Sequence, residues 1–241
     1  MRDLNNEFQD VTDRKYAYDF DYILRDFIVR TLKPHFIQGN ALEMGCFEGV
    51  FTKTLTGFFK DLTVIEGSAD LIEKAKIKTS GSHVKFISGM FESVEPSAKF
   101  DNIFLMHTLE HLDDPSLVLK KIRTWLTDQG RLFLVCPNAN AASRQIAVRM
   151  GLIEHNSAVT AGEYKHGHRK TYSLDTLENE VQLSGLKISS TGGVFFKPLA
   201  NFQLDKALDE KIIDHQYLEG CYRLGMLYPD LCASIYIVCE K

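Results

Sequence analysis

The chain has 241 residues, of which 44% are hydrophobic and 25% are charged, as in an ordinary soluble protein with one large domain. Its net charge of −4 gives no reason to expect nucleic acid, and it has no apolar run as long as a membrane span. The first residues lack the apolar core of a signal peptide, and five cysteines without a C-x-x-C pair indicate reduced thiols. We therefore expect a cytoplasmic protein.

The first predicted element is an aromatic-rich helix between residues 16 and 32, which Pro34 and Gly39 close. After it, short apolar strands alternate with helices, which predicts a doubly wound, mostly parallel α/β sheet. Strands are predicted at 41–45, 62–66, 84–88, 100–106 and 130–136, and helices at 48–59, 69–78 and 115–127. The last of these helices has Asp114 as its N-cap and Pro115 in its first turn.

The alternation breaks after Pro137. Helices are predicted at 141–150 and 173–184, and strands at 186–190 and 235–239. Between them lie a polar, His-rich loop and an aromatic segment that is predicted to be helical in its second half.

Two strands and the loops after them carry the strongest functional signal. The first strand ends in Glu43 and leads through Gly45 and Gly49 into a helix, and the second ends in Glu66. Glycines let the backbone approach a ligand, and an acidic residue after the second strand accepts hydrogen bonds from ribose hydroxyls. The fourth strand ends before His107. Together these segments resemble the class I S-adenosylmethionine-dependent methyltransferases.

The resemblance extends from about Gly39 to the C-terminus. It implies a seven-stranded sheet with an antiparallel last strand, and S-adenosylmethionine as the cofactor, released as S-adenosylhomocysteine. Residues 1–38 would form an N-terminal helical lid and residues 39–241 the methyltransferase domain. The segments at about 138–172 and 194–230 would be insertions that build the acceptor pocket beside the last strands.

The resemblance also implies a set of cofactor contacts. Glu43 would interact with the methionine end, Glu66 with the ribose, and Met90 and Phe91 with the adenine. The expected cofactor-binding residues are Glu43, Gly45, Cys46, Phe47, Gly49, Glu66, Gly67, Met90, Phe91 and His107. Phe47 stands where the family usually has a glycine, so its side chain must point away from the cofactor or form part of its wall. It also breaks the G-x-G-x-x-G pattern of NAD-binding proteins.

Histidines are the candidates for the base that would deprotonate an acceptor. His107 follows the fourth strand, and His166 and His168 lie in the loop Tyr164–Tyr172. His111 could also touch the ligands or could brace its loop. The expected acceptor-binding residues are Lys165 and Arg169, for an anionic or nucleotide-linked acceptor, and Tyr16 and Tyr18 from the lid.

A metal site built from His166 and His168 is a third interpretation of this loop. Asp113 and Asp114 are conceivable partners, but Asp114 is already explained as a helix cap. No other cluster shows the spacing of metal ligands. We therefore expect no bound metal.

The expected activity is methyl transfer to a small molecule, more to a hydroxyl than to an amine. A sugar, or a sugar-derived or secondary-metabolite intermediate, is the first choice of acceptor. N-methylation of an amino sugar or amine is the alternative reaction, and a non-catalytic cofactor-binding module is the alternative outside enzymes. The chain could also form a homodimer.

Overall fold

The computed structural model describes Lys15 and residues 17–241. The helices are α1 (Asp19–Leu32), α2 (Val50–Leu55), α3 (Ala69–Lys78), α4 (Pro115–Trp125), α5 (Ala142–Arg149), α6 (Ala161–Lys165), α7 (Leu174–Leu183), α8 (Asn201–Asp209) and α9 (His215–Gly225). The strands are β1 (Ala41–Met44), β2 (Leu62–Glu66), β3 (Val84–Ser88), β4 (Phe100–Met106), β5 (Leu126–Pro137), β6 (Lys187–Phe196) and β7 (Cys232–Glu240). Single 3₁₀ turns lie at Lys33–His35, Leu109–His111 and Pro229–Leu231.

The seven strands form one sheet in the order β3-β2-β1-β4-β5-β7-β6. The first five strands are parallel, and β7 is antiparallel to both of its neighbours. This confirms the predicted fold. Because β1 lies between β2 and β4, the winding reverses beside β1, and ligands in such sheets bind at the carboxyl ends of the strands near that reversal.

Helices cover both faces of the sheet, which is why every residue of β1 and β2 is buried. Helices α4 and α7 contribute to the apolar cluster on one face, and α1, α2 and α9 to the cluster on the other. On the second face the rings of Phe104 and Phe133, from neighbouring strands, stack with centroids 4.8 Å apart. The sheet is therefore held rigidly from both sides. Among the described residues, no helix is both long and apolar enough to span a membrane.

The predicted N-terminal helix is α1, and it packs into the core of the sheet. Phe20 and Phe27 are buried, and their ring centroids lie 4.9 and 5.6 Å from that of Phe195 in β6. Asp205 of α8 accepts the backbone N–H groups of Asp19 and Phe20 at 3.1 and 2.8 Å. The boundary expected at residue 38 therefore does not separate two cores, because α1 shares its apolar cluster with the sheet. The expected lid residue Tyr16 lies outside the described residues.

The two expected insertions are compact segments attached to the sheet. The ends of the first meet where the N–H of Ala139 donates to the carbonyl of Tyr172 at 2.7 Å. Within it, Arg144 of α5 forms an ion pair with Glu163 of α6 at 2.7 Å, and both side chains are nearly buried. The second begins later than expected, because β6 continues to Phe196 before α8 and α9 follow.

Candidate active site

A cavity of about 600 Å³ opens at the carboxyl ends of β1, β2 and β4. Ligand sites commonly have volumes of about 300–1,000 Å³. One end of the cavity is walled by the loops after β1 and β2, and the other by the segment after β4 and the first insertion. Helix α1 contributes a side wall. The cavity therefore lies where the strand order predicts a ligand site.

The two glycines after β1 have different structural roles. Gly45 lines the cavity with φ +82°, and a Cβ on it would lie 3.0 Å from Oγ1 of Thr108. Gly49 is the N-cap of α2 with φ +79°, and a Cβ there would lie 2.6 Å from Cα of Ala75 in α3. Gly49 is not among the residues that line the cavity. Because it has no side chain, Gly49 allows α2 and α3 to pack closely.

Phe47 forms part of the cavity wall. Its φ of +47° is in the left-handed region, which glycine adopts freely and other residues adopt at a cost. The loop has therefore kept the backbone conformation that suits a glycine while placing an aromatic side chain at the cavity. This is one of the two outcomes that the sequence left open.

Glu66 at the end of β2 is held by backbone donors. Its Oε1 accepts the N–H of Ser68 at 2.9 Å, and its Oε2 accepts the N–H of Cys46 at 3.0 Å. The side chain is only 7% exposed, and burial raises the pKa of its carboxyl, while these donors lower it in part. The bond to Cys46 ties the end of β2 to the loop after β1. Glu66 therefore both lines the cavity and fixes the shape of its floor.

Glu43 at the end of β1 is the more deeply buried of the two carboxyls, with 2% exposure. Among the described residues its Oε2 has no hydrogen-bond partner. Burial raises the pKa of Glu43 to about 8; nearby Glu66 adds to the rise, while Thr52 and Arg25 oppose it. A buried carboxyl oxygen at the cavity wall without a partner is suited to a cationic ligand group.

His107 follows β4 directly and lines the cavity with φ +49°. Its Nε2 lies 2.9 Å from Oγ of Ser234 in β7. Burial lowers the pKa of His107 to about 3, and the charges of Arg25, His168 and Lys197 act in the same direction. The imidazole is therefore neutral at neutral pH and a weak base. Among the three histidines expected to act as the base, His107 is thus the least suited to take a proton.

The loop after α6 brings His166 and His168 to the same cavity. The N–H of Arg169 donates to the carbonyl of Glu110 at 2.8 Å, which joins this loop to the 3₁₀ turn after β4. As a result the rings of His111 and His168 lie edge to face, with centroids 4.5 Å apart. Two histidine groups that are about sixty residues apart in the sequence thus form one wall.

A family model described as a methyltransferase domain matches residues 16–191. The chain belongs to the S-adenosylmethionine-dependent methyltransferases. Both the predicted family and the predicted cofactor are confirmed.

Two relatives of this methyltransferase are ubiquinone biosynthesis O-methyltransferases. That of Rhodopseudomonas palustris is 26% identical over 162 residues, which cover 66% of this chain and 63% of the relative. That of Sinorhizobium fredii is 24% identical over 200 residues, which cover 81% of this chain and 79% of the relative.

Solved structures share the fold. The N-methyltransferase NodS from Bradyrhizobium japonicum, in complex with S-adenosylhomocysteine, has a TM-score of 0.60 at 16% identity and covers 99% of this chain and 96% of its own. A possible histamine N-methyltransferase from Thermotoga maritima has a TM-score of 0.63 at 17% identity, with 91% and 92% covered.

Most of the residues expected at the cofactor of this methyltransferase line the cavity. They are Glu43, Gly45, Cys46, Phe47, Glu66, Gly67, Met90, Phe91 and His107. Phe91 is buried and Met90 is 39% exposed, so the two provide an inner and an outer apolar surface. Tyr18, expected from the lid, also lines the cavity from just before α1.

The two cations expected to hold an acceptor lie elsewhere. Lys165 is exposed, and Arg169 is paired with Asp113 at 3.3 Å and contacts the ring of Tyr164. Neither residue lines the cavity, whereas His166 and His168, which lie between them in the sequence, both do. Within the described part of the chain, the cavity is lined by the cationic side chains of Lys15, Arg25, Arg144 and Lys197.

The sequence interpretation missed Arg25 and the importance of Glu110. Arg25 shares one face of α1 with Tyr18, Asp21 and Ile28, all of which line the cavity at helical spacing. That periodicity was visible in the sequence and could have identified Arg25. Glu110 is 1% exposed, and burial raises the pKa of its carboxyl to about 8. No sequence pattern distinguishes it from a carboxylate on the surface.

Proposed function

We propose that this methyltransferase transfers the methyl group of S-adenosylmethionine to a hydroxyl oxygen of a small molecule. The observation that carries the proposal is the continuity of the cavity. It runs from Glu43 and Glu66 at one end to His107, His166 and His168 at the other. A hydroxyl must lose its proton to accept a methyl group, and imidazoles are common proton acceptors. The names of the two relatives, both O-methyltransferases, also favour oxygen.

The residues at the first end fit the cofactor. Glu66 lines the cavity with a carboxylate that suits ribose hydroxyls as a hydrogen-bond acceptor, and the apolar surfaces of Met90 and Phe91 suit the adenine. The oxygen of Glu43 that has no partner among the described residues suits the ammonium group of the methionine end. Arg25, which lies near enough to lower the pKa of Glu43 by its charge, suits the carboxylate of the same end. The bound cofactor supplies an electrophilic methyl carbon.

His166 is the proposed base at the other end. His107 is a weak base because its pKa is about 3, and it contacts Ser234. The ring of His168 packs against the edge of His111. His166 is buried at the cavity wall, on the loop that closes the acceptor side.

The acceptor is proposed to carry an anionic group beside its hydroxyl. Arg25 is assigned to the cofactor, but Lys197 also lines the cavity and lowers the pKa of His107 by its charge, so it lies close enough to attract such a group. A hydroxylated acid or a phosphorylated sugar would fit that charge. The sugar expected from the sequence remains one member of this class.

The rate at which S-adenosylhomocysteine forms with different acceptors tests the proposal directly. The protein should form S-adenosylhomocysteine with hydroxylated acids and should do so more slowly with the corresponding amines. His166→Ala should lower turnover by about 10²–10⁴-fold, the usual contribution of a general base, with little change in affinity for S-adenosylhomocysteine. The matched control is His155→Ala, because His155 is exposed, lies outside the cavity and contacts Ser157. Normal turnover of a hydroxyl acceptor by His166→Ala would contradict the assigned base, and a preference for amines would contradict O-methylation.

A further inference from the structure

Three side chains that bind metals well meet where the 3₁₀ turn after β4 touches the loop after α6. Glu110, His111 and His168 each present a ligand atom, and these atoms all lie within 4.8 Å of one another. All three residues line the cavity. They therefore form a mixed carboxylate and imidazole cluster at the acceptor side of the methyltransferase.

The state of Glu110 is a second observation that points to a cation. Its side chain is 1% exposed, and neither carboxylate oxygen has a hydrogen-bond partner among the described residues. A buried carboxyl without partners is costly, and native proteins rarely keep one unless an ion or water satisfies it. Beside it lies the thiol of Cys136, which is only a weak hydrogen-bond donor. A bound cation would remove this cost.

We propose that Glu110, His111 and His168 bind one zinc ion. Two imidazoles and one carboxylate, with a fourth position left open, are a ligand set of catalytic zinc sites. The open position would face the cavity, because the ligands themselves form part of its wall. In a tetrahedral site with bonds of about 2.1 Å, ligand atoms are about 3.4 Å apart. The three ligand atoms in the structure are up to 4.8 Å apart, so the side chains would have to move slightly closer together to bind the ion.

The backbone holds the two halves of this cluster together. The carbonyl of Glu110 accepts the N–H groups of Arg169 and Lys170 at 2.8 and 3.4 Å. The ion pair between Arg169 and Asp113, at 3.3 Å, links the same two segments at the surface. Ligands from distant parts of the sequence are thus already positioned before an ion arrives, which lowers the ordering cost of binding.

The proposal reverses the expectation that no metal binds here. That expectation paired His166 and His168 with Asp113 and Asp114. In the structure Asp114 caps α4 by accepting the N–H of Leu117 at 2.9 Å, and Asp113 pairs with Arg169. The additional ligands instead come from the turn after β4, which only the fold brings beside the loop.

The ion would have a role in methyl transfer that rests on the proposed function. A hydroxyl group in the open position would have its pKa lowered by the ion. Its proton would pass to the imidazole of His166, and its oxygen would form the bond to the methyl carbon. The carbon–sulfur bond would break with its electron pair kept by sulfur, which would leave S-adenosylhomocysteine. The reaction needs no reagent besides the acceptor, the cofactor and the base.

Zinc binding is measured without cofactor or acceptor, so its outcome is independent of the O-methylation proposal. The full chain is first stripped with a chelator and then titrated with Zn²⁺ by calorimetry, and bound metal is counted by mass spectrometry. We expect one zinc ion per chain. Glu110→Gln and His168→Ala should each weaken binding at least tenfold, and His155→Ala, an exposed histidine outside the cluster, should bind like the wild type.

A cobalt(II) titration gives a second readout. The wild type with Co²⁺ should show the intense visible absorption of a four-coordinate site, and His168→Ala should lose it. Binding of S-adenosylhomocysteine by each variant confirms that it is folded. No zinc uptake by the wild type, or equal uptake by folded His168→Ala and wild type, would overturn the proposal.

Discussion

Replacement of Glu43 by glutamine should change how the stability of the ligand-free protein depends on pH. The carboxyl of Glu43 is buried, and its pKa in the folded protein is about 8, against 4.5 as the ordinary value. Between these values the folded chain keeps a proton that the unfolded chain has lost. The free energy of unfolding therefore contains a contribution that is fully present below pH 4.5 and disappears as the pH rises to about 8.

The size of this contribution follows from the two pKa values. Each pKa unit corresponds to about 1.4 kcal/mol, so the gap of about 3.5 units amounts to about 5 kcal/mol. Glutamine has nearly the same shape and cannot ionise. Relative to the wild type, Glu43→Gln should thus become more stable by about 4 kcal/mol as the pH rises from 5 to 8.5, because most of the gap between the two pKa values lies in this range. Glu110 also has a raised pKa, but it is present in both proteins and cancels in the difference.

Urea unfolding at several pH values between 5 and 8.5 measures the difference. Glu154→Gln serves as the control, because Glu154 is exposed and its replacement should leave the pH dependence unchanged. The reasoning is refuted if the stability difference between Glu43→Gln and the wild type is the same at every pH.

The same variant tests the cofactor end of the cavity. If the ammonium group of S-adenosylhomocysteine faces Glu43, binding favours the ionised carboxylate and releases a proton below about pH 8. Calorimetry in buffers with different ionisation enthalpies should detect this proton in the wild type. Glu43→Gln should not release it. Equal proton release by both proteins would place the ammonium elsewhere.

Three further predictions concern the cofactor site and its floor. Glu66→Ala should weaken S-adenosylhomocysteine binding at least tenfold, or about 1.4 kcal/mol, and unchanged affinity in calorimetry would remove Glu66 from the site. S-adenosylhomocysteine should raise the melting temperature and NAD should not; stabilisation by NAD alone would contradict the cofactor assignment. Gly49→Ala should cost about 1–3 kcal/mol in urea unfolding, because its Cβ would meet Cα of Ala75 at 2.6 Å. The control Gly220→Ala, in α9 with no atom within 4 Å of the new Cβ, should not destabilise the chain, and equal effects would argue against the packing explanation.

The fold could be predicted because its signals are local. Short apolar strands alternating with helices specify a parallel sheet wherever they occur, and the carboxyl ends of its strands fall on one edge. The boundaries were less accurate, since β5 begins at Leu126 rather than at 130 and β6 continues to Phe196 rather than ending at 190. These extensions pair with β7 or β4, and such pairing depends on a partner that is distant in the sequence.

The sequence by itself determined which glycines, carboxylates and imidazoles are available for the site and in which order they follow the strands. Glu43, Gly45 and Glu66 were recognisable because each glutamate ends a short apolar strand and a glycine turn follows the first strand directly. The tertiary structure alone decided that Arg169 pairs with Asp113 while His168 meets His111. It also decided the pKa of each buried group, because burial depends on everything packed around a side chain and not on its neighbours in sequence.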